Sequence, residues 1–194
     1  MIAGAGVAGF PFETGDDVKS SPAVGDVDND GEQELVFGSK DRTLYIVNKG
    51  GIQETSYIQT GYIIGAPALV DLDGDADLEI IFGTQNGSVG KVYAIHHNGI
   101  TMSGFPKELG SMWEGPAVHD IDNDGIVDIV CATYDKEIYA LEANGGVVKS
   151  GFPVLVEGRF SISPTLVDLD SDGDLDLIIG SQSGTLYYFR NTGQ

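Results

Sequence analysis

A β-propeller of four blades, each with four antiparallel strands, is the all-β fold that this 194-residue sequence predicts. Three observations predict it. The same set of residues returns at spacings of 45, 49 and 48, counted from Asp26 to Asp71, Asp120 and Asp168. Glycine supplies 28 residues, about twice the usual ~7%, which favours frequent tight turns over long helices. No segment keeps the i, i+3, i+4, i+7 spacing of an amphipathic helix, so helix content is expected near zero.

The elements of each unit follow in a fixed order. Pro22, Pro67, Pro116 and Pro164 stand four residues before the first aspartate of each unit and open strand one. An acidic loop follows. Strand two is the apolar run Leu35-Val36-Phe37-Gly38, Ile80-Ile81-Phe82-Gly83, Ile129-Val130-Cys131-Ala132 or Leu177-Ile178-Ile179-Gly180. Its continuous apolar character predicts burial on both faces, between neighbouring blades. Strand three carries Leu44-Tyr45, Val92-Tyr93, Ile138-Tyr139 and Leu186-Tyr187, and strand four is expected to end near the Gly-Phe-Pro triplets of Pro11, Pro106 and Pro153. All seven prolines fall in repeat columns, and residues 1–194 read as one domain without a linker. Gly9-Phe10-Pro11 precedes the first strand one. Ile2–Phe12 is therefore expected to pair beside Leu186–Asn191, closing the ring and covering an edge. Two other completions are an eight-bladed homodimer exchanging terminal strands and a larger propeller of which this chain is part.

The charge is concentrated. Thirty Asp and Glu oppose ten Lys and Arg, for a net charge of −20. Segments 26–34, 71–79, 120–128 and 168–176 hold five, five, four and five acids and no base, leaving 11 acids against 10 bases elsewhere. A hydrophobic share of 41% excludes a disordered acidic tail. Nucleic acid is excluded as a partner because Lys and Arg are not clustered. No apolar run approaches ~18 residues, which excludes a membrane-inserted helix. Met1 to Phe12 is uncharged and too short for a secretory signal. The single cysteine, Cys131, leaves no intrachain disulfide.

Each acidic loop has the spacing of a calcium site. Acids stand at positions one, three, five and nine: Asp26, Asp28, Asp30 and Glu34; Asp71, Asp73, Asp75 and Glu79; Asp120, Asp122, Asp124 and Asp128; Asp168, Asp170, Asp172 and Asp176. The backbone carbonyl of position seven (Glu32, Asp77, Ile126 or Asp174) completes the set. Calcium takes 6–8 oxygens at ~2.3–2.6 Å in irregular geometry. Several carboxylates in one loop repel strongly without a cation among them, so four Ca2+ sites are expected. Position twelve is Phe37, Phe82, Cys131 or Ile179 rather than Glu, which excludes an EF-hand. Ala76 replaces the turn glycine of the second loop, which predicts its weakening.

Phe37-Gly38 and Phe82-Gly83, with Gly65-Ala66-Pro67, resemble the motif of the FG-GAP (VCBS-type) repeat over essentially the whole chain. That repeat builds the integrin α-subunit propeller and many bacterial surface and secreted proteins. The resemblance implies calcium held in a strand-loop-strand site. Cys131-Ala132 departs from Phe-Gly, and the second unit lacks Gly-Phe-Pro.

Outside the loops, Cys131 and the tyrosine column read as core, and His96, His97 and His119 as structural or surface residues. Trp113 lies in a connecting loop, with Met112, Tyr62 and Phe160 in or near the equivalent loops. These side chains suit either a sugar or peptide platform or packing of the rim on the next blade. The leading functional expectation is a non-enzymatic, calcium-rigidified adhesion module, extracellular or at the cell surface, presenting loops to a protein or carbohydrate. A polysaccharide-cleaving propeller would need a cleft cluster, for which His119, Lys149 and Arg159 are the candidates. A purely architectural fragment is the third reading.

Overall fold

The computed structural model describes residues 6–192. They form sixteen strands in four antiparallel sheets, and no described residue is helical. The first sheet runs β1 (Ala23–Gly25), β2 (Glu34–Gly38), β3 (Thr43–Asn48), β4 (Gln53–Ile58). The second runs β5 (Ala68–Val70), β6 (Glu79–Gly83), β7 (Lys91–Ile95), β8 (Lys107–Glu108). In the third, β9 (Ala117–His119), β10 (Asp128–Ala132) and β11 (Glu137–Glu142) are edged by two short pieces, β12 (Val147–Val148) and β13 (Val154–Leu155). The fourth has β14 (Thr165–Val167), β15 (Asp176–Gly180) and β16 (Leu186–Phe189).

The sheets stand side by side as propeller blades. β1 lies against β5, β5 against β9, and β9 against β14. Apolar cores fill the spaces between neighbours. Val36, Leu44 and Ile46 meet Ile63, Ile80 and Phe82 between sheets one and two. Ile81 and Val92 meet Ile129 and Leu141 between two and three, and Val130 and Ile138 meet Phe160 and Ile179 between three and four. The second strands of the two middle sheets are therefore covered on both faces by neighbouring blades, as their continuous apolar runs require. Every residue of β6 and β10 is buried.

The expected ring closure is not seen among the described residues. Among the described residues, β14 makes no comparable contact with β1, and the fourth sheet has three strands rather than four. Residues 6–12 form no strand beside β16. They go to the first sheet instead. Phe12 packs edge-on against Phe37 and Tyr45, with ring centroids 6.0 and 5.6 Å away. A Cβ on Gly9 would fall 1.8 Å from the Gly50 carbonyl oxygen, so only glycine allows this approach. Gly104 sits the same way against Gly145, 2.0 Å from its oxygen by the same measure. The triplets of Gly9 and Gly104 thus dock on a turn that follows a third strand, whereas Gly151 meets no such neighbour, and β8 and β13 follow their triplets rather than end at them. The part of the expected closing strand at Ile2–Ala5 lies outside the described residues.

Candidate metal centres

Each acidic loop joins strand one to strand two of its blade. Its ends are locked by register: Gly25 faces Glu34, Val70 faces Glu79, His119 faces Asp128 and Val167 faces Asp176. Between those pairs the chain turns twice through the left-handed region, at positions four and six. The residues are Asn29 and Gly31, Gly74 and Ala76, Asn123 and Gly125, Ser171 and Gly173. The position-one aspartate caps the turn. Asp26 accepts from the N–H groups of Asp30 at 3.0 Å and Gly31 at 2.9 Å, and Asp120 accepts from Asp124 at 3.2 Å and Gly125 at 2.8 Å. Asp168 accepts from Asp172 at 3.2 Å and Gly173 at 3.1 Å. In the second loop Asp71 accepts from Gly74 and Ala76, at 2.7 and 3.3 Å.

The position-nine acids are the floor of the loops. Glu34, Glu79, Asp128 and Asp176 are at most 1% exposed. Each accepts the N–H of position two: Val27 at 3.0 Å, Leu72 at 2.7 Å, Ile121 at 3.1 Å and Leu169 at 3.2 Å. Burial pushes the carboxyls of Glu34, Glu79 and Asp128 above their ordinary value, because the charged form loses water there. Asp176 is also buried, but hydrogen bonds from the Asn191 N–H, the Tyr188 hydroxyl and the Leu169 N–H outweigh burial and hold it low. Oxygens of Asp26, Asp28 and Glu34 lie within 4.8 Å of one another, as do those of Asp71, Asp73 and Asp75, of Asp120, Asp122 and Asp128, and of Asp168, Asp170 and Asp172. Oδ1 of Asp28 is buried without a hydrogen-bond partner. An all-oxygen set with one buried lone-pair oxygen fits a hard cation such as calcium. The position-seven side chains turn elsewhere: Glu32 to Lys49, Asp77 to His97 at 2.9 Å, and Asp174 to Asn123 at 3.1 Å.

The model of the FG-GAP-like repeat matches residues 120–179, which span the third acidic loop through the fourth strand two. The chain carries an FG-GAP-like repeat. No curated protein matches the sequence. Among solved structures, BBS1N in complex with ARL6DN is similar at a TM-score of 0.64 and 18% identity, over 95% of this chain and 53% of that one. BamB from Moraxella catarrhalis is similar at 0.58 and 21%, over 90% and 47%. The quinohemoprotein alcohol dehydrogenase from Comamonas testosteroni is similar at 0.59 and 13%, over 82% and 32%. The chain spans about half the length of the first two. At these identities the likeness shows the propeller-type fold alone, a fold found both in a protein solved with a partner and in an alcohol dehydrogenase.

The four acidic loops differ in the basic groups beside them. Lys49 pairs with Glu32 on the rim of the first. At the second, His96 Nδ1 is 3.0 Å from Glu79, and Asp73, Glu79 and His96 form a mixed cluster. Lys149 reaches into the third, 2.7 Å from Asp122 and 2.9 Å from Asp128. Arg190 pairs with Asp170 and, at 3.1 Å, with Asp172 of the fourth. Burial lowers the Lys149 ammonium, but Asp122 and Asp128 outweigh it and raise it above its ordinary value. None of these bases was read from the sequence as part of a loop. They lie outside the acidic segments, on or beyond strand three, and only folding brings them back.

The remaining candidates separate. His119 binds the Asp120 carbonyl at 3.0 Å, Lys149 extends its side chain to the third loop, and Arg159 donates to the Tyr134 hydroxyl at 3.0 Å while covering its ring. The three make no common cluster. Met112 and Phe160 are 1% and 2% exposed, so they are core rather than platform. Trp113 and Tyr62 do face solvent. Trp113 stacks on Tyr134 at 5.2 Å, and a cavity of about 630 Å³ is lined by Lys19, Lys40, Tyr62, Gln85, Trp113 and Glu114. Cys131 is buried in the core between sheets two and three.

Proposed function

We propose that the chain is a calcium-stabilised, non-enzymatic propeller module that presents a rigid face to a protein or carbohydrate ligand. The carrying observation is the first loop, where Asp26, Asp28 and Glu34 converge and Asp28 keeps a buried oxygen without a partner. A bound divalent cation supplies positive charge at that point. The protein's part is to hold the carboxylates there: the Asp30 and Gly31 amides orient Asp26, and the Val27 amide orients Glu34. Calcium binding to the folded state raises the melting temperature by mass action. Asp28→Asn is expected to shrink that rise, whereas equal melts in millimolar calcium and in chelator would refute the calcium reading.

The ligand face proposed is the Trp113–Tyr62 cavity, which combines aromatic surface with Lys19 and Lys40. A glycan array with a parallel protein pull-down identifies the ligand class, and Trp113→Ala should abolish what is captured. We place the module outside the cell or on its surface, where extracellular calcium fills sites of 10⁻⁴–10⁻³ M affinity. The open arc of four sheets favours completion by blades beyond these four, since one face of each end sheet lacks a neighbouring blade among the described residues. A monomer near 20.5 kDa, with its end sheets as protected from exchange as the middle ones, would overturn that.

A further inference from the structure

We infer that Lys149 is a built-in counter-cation: its ammonium takes the place in the third loop that a divalent cation takes in the first, so the third loop closes without calcium. The inference rests on the calcium reading for the first loop and departs from it for the third. The ammonium lies 2.7 Å from Asp122 Oδ2, 2.9 Å from Asp128 Oδ1 and 3.9 Å from Asp124 Oδ2. Those are positions three, nine and five of the loop. The Lys149 side chain is only 11% exposed and Asp128 is fully buried, so the pair is held away from solvent. Calcium needs the same oxygens at ~2.3–2.6 Å. An ammonium already within ion-pair distance of them excludes it by space and by like charge.

The fold does not require lysine there. Lys149 donates its backbone N–H to Ala140 at 2.9 Å, and its carbonyl accepts from Phe152. Met102 does the same in the second blade, to Ala94 at 2.9 Å and from Phe105, and its side chain joins the apolar core. A methionine thus serves the same backbone position where the loop is left to other partners. In the first loop the nearby base, Lys49, is turned to Glu32 on the rim, and the buried Asp28 Oδ1 has neither a hydrogen bond nor an ion pair, whereas Asp128 Oδ1 of the third loop, also without a hydrogen bond, has the Lys149 ammonium at 2.9 Å. The third loop is also the least charged, with Ile126 at position seven, which suits a monovalent partner.

The test counts calcium ions bound per chain by native mass spectrometry for the wild type, Lys149→Met and Lys149→Gln, with melts in calcium and in chelator. Both variants are expected to bind one more ion than the wild type, to melt lower than it in chelator, and to recover in calcium. Lys149→Met combined with Asp122→Asn should lose the extra ion. No gain in count, or a gain that survives Asp122→Asn, overturns the inference. The wild-type count tests the calcium reading separately: a wild type that binds none refutes that reading, while the difference between variant and wild type still decides the role of Lys149.

Discussion

Gly38 and Ile63 fit together so closely that the isoleucine occupies the glycine's side-chain space: a Cβ on Gly38 would lie 2.2 Å from Ile63 Cγ2 and 2.6 Å from its carbonyl oxygen. Gly83 receives Met112 in the same way, at 2.7 Å. The glycine ending strand two is therefore a seat for the loop that enters the next blade. Gly38→Ala is expected to cost about 1–3 kcal/mol, the usual range for overpacking, in urea denaturation. Gly180→Ala should cost clearly less, because its nearest neighbour is the flexible Cδ1 of Ile162 at 3.1 Å.

Ala76 holds φ at 79°, where the other three loops have glycine at that position. A left-handed alanine is strained by ~1–2 kcal/mol. Ala76→Gly should relieve part of this and stabilise the protein by about 1 kcal/mol, read as a higher urea midpoint at unchanged slope. A lower midpoint would contradict the strain.

Glu34 is buried, and without a cation its charged form is disfavoured. Glu34→Gln keeps an oxygen to accept the Val27 amide but removes the charge. In chelator near pH 7 the variant should melt above the wild type. In calcium the order should reverse, because the loop has lost a ligand. The same order under both conditions would remove Glu34 from the site.

Asp41 supplies a pH-dependent contribution away from the loops. Burial pushes its carboxyl up, but hydrogen bonds from the Tyr45 hydroxyl at 2.6 Å and the Gly15 and Thr43 amides, each at 2.8 Å, outweigh that and hold it below its ordinary value. A depressed folded-state value means the stabilisation is complete above the unfolded value and disappears as pH falls through the folded one. Asp41→Asn should therefore lose stability near pH 7, by about 1.5–3 kcal/mol for hydrogen bonds to a charged group. The gap from wild type should narrow below pH ~4. A gap that widens on acidification would reverse the assignment.

Burial pushes the Cys131 thiol up to about 12, and its sulfur lies in the core between sheets two and three. Thiol reagents need thiolate and access. Labelling at pH 8 should be slow in the native protein and rise with urea along the unfolding curve. Rapid labelling without denaturant would mean that sheets two and three part readily.

The strands and loops were legible because each is written in a short, repeated stretch: alternate acids for the loops, apolar runs for strand two, a tyrosine for strand three. What failed depended on partners distant in sequence. Gly9-Phe10-Pro11 reads locally as a strand end, yet Gly9 is set by Gly50 of the first sheet. Met112 and Phe160 read as rim residues beside Trp113, although Ile63 stands in their column and already marked it as apolar. Lys149 was legible only as one of three candidate cleft residues, and its reach to Asp122 and Asp128 needed the fold.

Among the described residues, four sheets joined through three apolar seams make a short stack, in which each middle sheet has two supporting neighbours and each end sheet one. Such arrays behave as sums of units and nearest-neighbour couplings, so opening begins at the ends and works inward. The amides of β6 and β10, buried along their whole length, should exchange only through global unfolding, whereas those of β16, at the outer side of the last sheet, should exchange through local fraying. A cation bound in the first loop would then act as a clamp at one end of the stack, and Lys149 as a permanent rivet nearer its middle.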